Sequence, residues 1–181
     1  MKILTLLRHA KSTWDDPVAR DFDRPLNQRG RRAAQTVGRE MRAQGLAFDR
    51  IIASPAVRVI ETLEEIGAGY GQALDPHYDQ RLYLAPTETL LDLIQDTDDN
   101  VERLLIAGHN PGLERLVLLL TRKGGDGLRD EVEVKYPTAT LAEISLPVEH
   151  WKEIEEGIGT LARFIRPRDL DPELGPDEDS Y

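Results

Sequence analysis

The chain contains no cysteine, which rules out disulfides and thiolate metal sites and leaves nothing pointing to export. Long apolar runs are missing too. No segment approaches the ~20 residues needed to span a membrane. The five-residue apolar run from Ile3 to Leu7 is too short for the h-region of a signal peptide. The expectation is a cytoplasmic protein without membrane association. Positive charge is scarce: 23 Lys and Arg stand against 33 Asp and Glu, a formal net charge of -10. That balance argues against general nucleic-acid binding, which needs a basic face. It leaves room for a locally cationic pocket, because net charge says little about a single site.

The 181 residues, 40% apolar and 31% charged, fit one domain with a substantial core. That domain is expected over residues 1–165. Residues 166–181 hold three prolines and six acidic residues and read as an extended or disordered acidic tail.

The apolar run before Arg8-His9 reads as a buried strand. A polar loop follows, and Pro25 keeps Arg24 out of a helix. Asn27 is a plausible N-cap for a helix running to about Gln44, with Ala33, Ala34, Val37 and Met41 as its buried stripe. Asp49 to Ala53 is a second strand. Ser54 and Pro55 carry the signature of an N-cap and first helical residue. Arg58 then falls near the positive end of a helix dipole, where a cation is unfavourable unless an anion lies between. Leu74 to Tyr78 reads as a third, weaker strand, and a helix bearing Leu90, Leu93 and Ile94 follows Pro86. Glu88 lies in that helix's first turn, where the dipole favours a carboxylate, so capping accounts for it without catalysis. Arg103 to Ala107 is a strand, followed by Gly108-His109-Asn110-Pro111-Gly112 and an apolar helix. Lys123 to Gly127 reads as a flexible loop and candidate rim or lid. Tyr136 to Leu146 and Gly159 to Ile165 read as the last strands, the latter at an edge.

Alternating strands and helices predict an α/β fold, a three-layer α/β/α sandwich around a mostly parallel sheet. Ligands bind such sheets at the loops beyond the strand ends. Those loops carry Arg8 and His9, then Ser54 and Arg58, then His109. Any one of them read alone is as well explained by a solvated arginine or an ordinary histidine; it is the convergence that points to a site. Two arginines and two histidines without a carboxylate cluster or HExxH spacing favour phosphate over metal. Arginine offers fixed donors that match phosphoryl oxygens, and a neutral imidazole can attack phosphorus to form a covalent intermediate.

Leu7-Arg8-His9-Ala10-Lys11-Ser12 resembles the arginine-histidine-glycine motif of the histidine phosphatase superfamily (branch 1), with Ala10 in place of glycine. Arg24-Pro25-Leu26-Asn27, Ser54-Pro55-Ala56-Val57-Arg58 and Gly108-His109-Asn110-Pro111 are similar to its later motifs, in order and over nearly the whole chain. Within the superfamily the chain looks most like the SixA-like protein-phosphohistidine phosphatases. The resemblance implies a phosphoglycerate mutase-like fold, with His9 as phosphorylated nucleophile and Arg8, Arg58 and His109 holding the phosphoryl group. Ser12 and Asn27 are candidate helpers. No metal and no organic cofactor are implied, and the partner is a phosphorylated protein or a small phosphorylated molecule. Larger relatives carry a proton-donating glutamate where Leu84 stands. Its loss favours leaving groups that depart readily, phosphohistidine above all. The rivals are a phosphatase of small phosphate esters using Glu88 as acid, and a non-catalytic module that binds phosphoproteins.

Overall fold

The opening apolar run folds as β1 (Lys2–Arg8), in a computed structural model that describes residues 1–15, 20–124 and 126–175. It is followed by α1 (Gln28–Ala43), β2 (Arg50–Ala53), α2 (Val57–Tyr70), β3 (Pro76–Tyr78) and α3 (Thr87–Gln95). Then come β4 (Arg103–Gly108), α4 (Gly112–Leu120), α5 (Leu128–Val134), β5 (Leu141–Leu146), β6 (Thr160–Ile165) and α6 (Pro167–Leu170). The six strands form one sheet in the order β3-β2-β4-β1-β5-β6. The four strands from β3 to β1 are parallel, and β5 and β6 run antiparallel.

Strand pleating divides the core. Leu4, Leu6, Leu104 and Ile106 face a cluster completed by α3, α4 and α5. Leu7, Ile51, Leu105 and Ala107 face the other way, onto α1 and α2. Neighbouring residues therefore serve opposite layers, so these strands read as continuous apolar runs instead of alternating ones. Full burial of each such leucine contributes about 1.5–3 kcal/mol. The expected α/β sandwich is thus present, with two antiparallel strands at one side. Among the described residues, no helix is long and apolar enough to cross a membrane.

Several local expectations give way. Ser54 does not cap α2: the cap position is Ala56, and the helix starts three residues after the serine. Strand β5 begins at Leu141, not Tyr136, because Ala139 takes a left-handed backbone with φ of 58°. The stretch 128–134 is helical, a short amphipathic turn anchored by Val132 that its charged residues had masked. The segment after Arg166 is not extended as far as it is described. It forms α6 and a 3-10 turn at Pro172–Leu174 that packs on α1, burying Leu174. Arg32 pairs there with Asp171 and Glu173. Residues 176–181 of the expected tail lie outside the described residues.

Candidate active site

Ladder register brings the site residues level. Arg8 pairs with Gly108 and Ala53 with Ala107 across neighbouring parallel strands. The ladder extends one step further, with the His9 amide donating to Gly108 O (3.1 Å) and the Ser54 amide to Ala107 O (3.0 Å). His9, Ser54 and His109 therefore emerge side by side at the carboxyl edge of the sheet. Two glycines keep the adjoining loops close. A Cβ on Gly30 of α1 would overlap the carbonyl of Lys11, and one on Gly112 of α4 would overlap that of Ala85.

His9 is buried, and its Nδ1 lies 2.7 Å from the carbonyl of Ala10. A carbonyl only accepts, so Nδ1 carries the proton and Nε2 keeps its lone pair. Ala10 fits where glycine was expected: its side chain is fully buried and its amide donates to Thr62 Oγ1 at 2.9 Å. Burial first, and then the fields of Arg8, His109 and Arg58, push the His9 pKa well below 6.5, against the opposing pull of the Ala10 hydrogen bond. Arg8 thus helps to keep His9 neutral, as a neighbouring cation should, while burial acts more strongly.

His109 stands 5.3 Å from His9, ring centre to ring centre. Arg58 Nη2 lies 3.4 Å from its Nδ1, and the Ser54 hydroxyl 2.8 Å from its Nε2. Guanidinium has only protons to give, so Nδ1 accepts and the Nε2–H donates to Ser54. Burial, followed by the charge of Arg58, lowers the His109 pKa to about 3.

Arg58 is almost wholly buried in the first turn of α2. It donates from Nη1 to the Asp21 carbonyl (2.7 Å) and from Nη2 to the Asp21 carboxylate (3.0 Å). Arg8 donates from Nη1 to the Tyr136 carbonyl at 2.9 Å. The Nε of each arginine is buried without a hydrogen-bond partner. Both arginines line a cavity of about 250 Å³ together with His9, His109 and Ser12. Exposed Trp14 and Leu84 stand at its margin.

Sequence reasoning missed Asp21 and Tyr83. The Tyr83 hydroxyl donates to Asp21 at 2.5 Å, and its ring meets His109 edge-on at 5.5 Å. Burial raises the Asp21 pKa, but hydrogen bonds from Tyr83, Arg24 and Arg58 and the charge of Arg58 outweigh it and bring the pKa to about 2. Only contacts through space mark these residues; nothing in local pattern does. Arg24, quoted only as part of a motif, is buried, lies 3.4 Å from the Trp14 ring centre and donates to Ser12 Oγ at 2.5 Å.

The candidate helper Asn27 and the rival acid Glu88 sit elsewhere. The side chain of Asn27 accepts from the Gly30 amide at 2.7 Å, which makes it the cap of α1, and it does not line the cavity. Glu88 is exposed in the first turn of α3, also outside the lining, where the helix dipole explains it. The loop at Lys123 to Gly127, read as a rim, contributes no residue to the lining among those described. The described residues contain no group of three His, Asp or Glu side chains suited to hold a metal.

The family model of the histidine phosphatase superfamily (branch 1) matches residues 4–83. An uncharacterised protein of Mycobacterium tuberculosis H37Rv is 35% identical over 164 residues, spanning 90% of this chain and all of that one. The chain belongs to the histidine phosphatase superfamily. Among solved structures it is similar to one assigned as the phosphohistidine phosphatase SixA of Agrobacterium tumefaciens, with TM-score 0.76 and 29% identity over 92% of this chain and 98% of that one. A second, from Nakamurella multipartitia and assigned likewise, has TM-score 0.77 and 26% identity, covering 92% and 96%. This member of the superfamily is therefore SixA-like in build, and it is a phosphatase. Of the cavity residues, Arg8, His9 and Arg58 lie within the stretch that the family model matches, and His109 lies beyond it.

Proposed function

We propose that the protein is a metal-independent phosphohydrolase that works through a phospho-His9 intermediate, most directly on phosphohistidine in proteins. One observation carries the reading. An unprotonated Nε2, fixed by the Nδ1 bond to Ala10, shares one cavity with the guanidinium groups of Arg8 and Arg58. In the first step the Nε2 lone pair attacks phosphorus, the P–Nε2 bond forms, and the bond to the leaving group breaks with its electrons. In the second, water attacks phosphorus, the P–Nε2 bond breaks, and phosphate leaves while His9 regains its lone pair. Arg8 and Arg58 neutralise the phosphoryl oxygens throughout. Burial and then the charge of Arg58 lower the His109 pKa, and a dianion beside the ring opposes the second of these, which favours a proton on Nδ1 and turns that atom into a donor.

The leaving group follows from what lines the cavity. Among the described residues its one carboxylate is Asp21, whose pKa of about 2 leaves no proton to give at neutral pH. Leu84 at the margin has none either, and Glu88 is outside. A general acid is typically worth about 100- to 10,000-fold, so alkyl esters are disfavoured relative to phosphohistidine, acyl or aryl phosphates. The small-ester alternative with Glu88 as acid loses its support with that residue's position. The non-catalytic alternative has none in a family of enzymes. The assignment of both similar SixA structures as phosphohistidine phosphatases favours the same substrate class.

Hydrolysis of p-nitrophenyl phosphate should survive EDTA and fall by at least about a thousandfold in His9→Ala. Quenched turnover should trap acid-labile phosphate on His9. Inactivation by EDTA, or full turnover by His9→Ala, refutes the mechanism. A strong preference for one sugar phosphate over a phosphohistidine protein refutes the substrate.

A further inference from the structure

Trp14 does nothing for the core. The chain has two tryptophans, of which Trp151 is fully buried and Trp14 is 67% exposed. Its place is nevertheless fixed. Ser12 forms an antiparallel bridge with Leu26, and the Thr13 amide donates to the Pro25 carbonyl at 2.9 Å, so the residues before the ring are tied to those after Arg24. The ring itself lies over the Arg24 guanidinium, 3.4 Å from ring centre to Cζ. Arg24 is buried and held in turn. Its Nε and Nη2 donate to the Asp21 carboxylate at 3.1 and 2.9 Å, and its Nη1 to Ser12 Oγ at 2.5 Å.

Trp14 and Leu84 border the phosphoryl cavity together. Leu84 is 54% exposed and has a left-handed backbone, φ 50°, which suits glycine or asparagine better. An apolar side chain kept in solvent on an unfavourable backbone is the kind of local cost that collects at functional sites. Two exposed apolar groups at one mouth match an apolar part of whatever enters. In phosphohistidine, phosphorus is bonded directly to a ring nitrogen. With the phosphoryl group at His9, Arg8 and Arg58, that ring begins where the phosphoryl group ends. A neutral planar ring gains from contact with another aromatic ring. With a guanidinium already on one face of Trp14, a second cation on the other is disfavoured, which selects such a ring over a lysine or arginine side chain.

We infer that Trp14, backed by Arg24 and joined by Leu84 at the cavity mouth, is a specificity-determining residue that receives the planar ring bonded to the phosphoryl group of the substrate. The inference rests on the reading of the site as a protein-phosphohistidine phosphatase, in which that ring is the imidazole of the substrate histidine.

Phenylphosphonate, with phosphorus directly on a ring, and methylphosphonate, without a ring, are stable probes that test it by calorimetry. The wild type should bind the phenyl compound about fivefold more tightly, the effect of one aromatic pair. The ratio should fall to about one in Trp14→Ala and be largely kept in Trp14→Phe. A ratio near one in the wild type, or a preference that survives Trp14→Ala, overturns the assignment. Equal weakening of both probes overturns it too and leaves the ring only the task of holding Arg24. Tryptophan emission gives a reading that needs no variant. Because Trp151 is buried, phenylphosphonate should shift the wild-type emission to the blue through Trp14, and methylphosphonate should not. Identical spectra with the two probes rule out the ring contact. Turnover of a phosphohistidine peptide tests the parent reading apart. If the peptide is not cleaved while the phenyl preference holds and depends on Trp14, the substrate reading fails and Trp14 receives the ring of an aryl ester. If neither phosphonate binds, both readings fall together.

Discussion

His9 and His109 are both neutral, yet their hydrogen-bond polarity is opposite. The proton of His9 is on Nδ1, held by a carbonyl, and that of His109 is on Nε2, held by Ser54. In His9 this leaves a lone pair for attack, and in His109 an Nδ1 that already faces a cation. Ser54 is thus a positioning residue that acts through His109. Ser54→Ala should lower kcat on p-nitrophenyl phosphate by about tenfold with little change in KM, and Thr at the same position should restore most of it. A loss confined to KM would count against that role. The four residues named from sequence meet because each follows a strand or opens a helix, which sequence pattern reports well. Asp21 and Tyr83 were illegible for the complementary reason. They join the site through side-chain contacts across 62 residues of chain, and nothing local distinguishes Asp21 from other acids in a polar loop.

At the scale of elements, what fixes the site is how closely helices approach the loops before them. A glycine in an exposed helix costs ~1 kcal/mol relative to alanine, so Gly30→Ala would stabilise an isolated α1. Here a methyl group would collide with the backbone of Lys11. Overpacking of that kind costs about 1–3 kcal/mol and reverses the sign. Gly30→Ala should lower the urea midpoint and weaken turnover through displacement of the His9–Ser12 loop. Gain of stability with unchanged turnover would show that the loop yields freely.

The C-terminal turn invites a similar comparison. Arg32 is exposed, and its two ion pairs are the kind that solvent screens. Leu174 is buried against α1 and should carry most of the docking. Leu174→Ala is expected to cost about 2 kcal/mol, or roughly 4–8 °C in a domain of this size, while Arg32→Gln leaves the midpoint nearly unmoved. A reversed order would make the ion pairs the anchor. Composition concealed this segment because Leu170 and Leu174 are too few to register against the surrounding acids and prolines. Long elements such as α1 and β4 were legible because many residues repeat the same signal, whereas short ones like α5 have one buried anchor.

For the molecule as a whole, the two buried imidazoles make acid stability a report on the site. Unfolding returns each to an ordinary pKa near 6.5, against about 3 for folded His109 and a pKa well below 6.5 for folded His9. Between these limits the unfolded chain binds more protons. Stability is therefore complete above about pH 6.5 and is lost as pH falls. Asp21 acts in the same direction further down, since its pKa is about 2 folded and 3.8 otherwise. In phosphate-free buffer the thermal midpoint should drop between pH 7.5 and 5, and His109→Gln should flatten that slope. A midpoint that holds or rises over the same interval would mean that the imidazoles are charged. The strand register of β1, β2 and β4 has an evolutionary corollary. Because His9, Ser54 and His109 are counted off from paired strand ends, a single-residue deletion within any of these strands would turn its residue to the opposite face of the sheet. Insertions beyond His9, Ser54 or His109 carry no such penalty. Descendants of this chain can therefore exchange substrates by growing or trimming the segments past those three points, while the strands themselves must be inherited at fixed length.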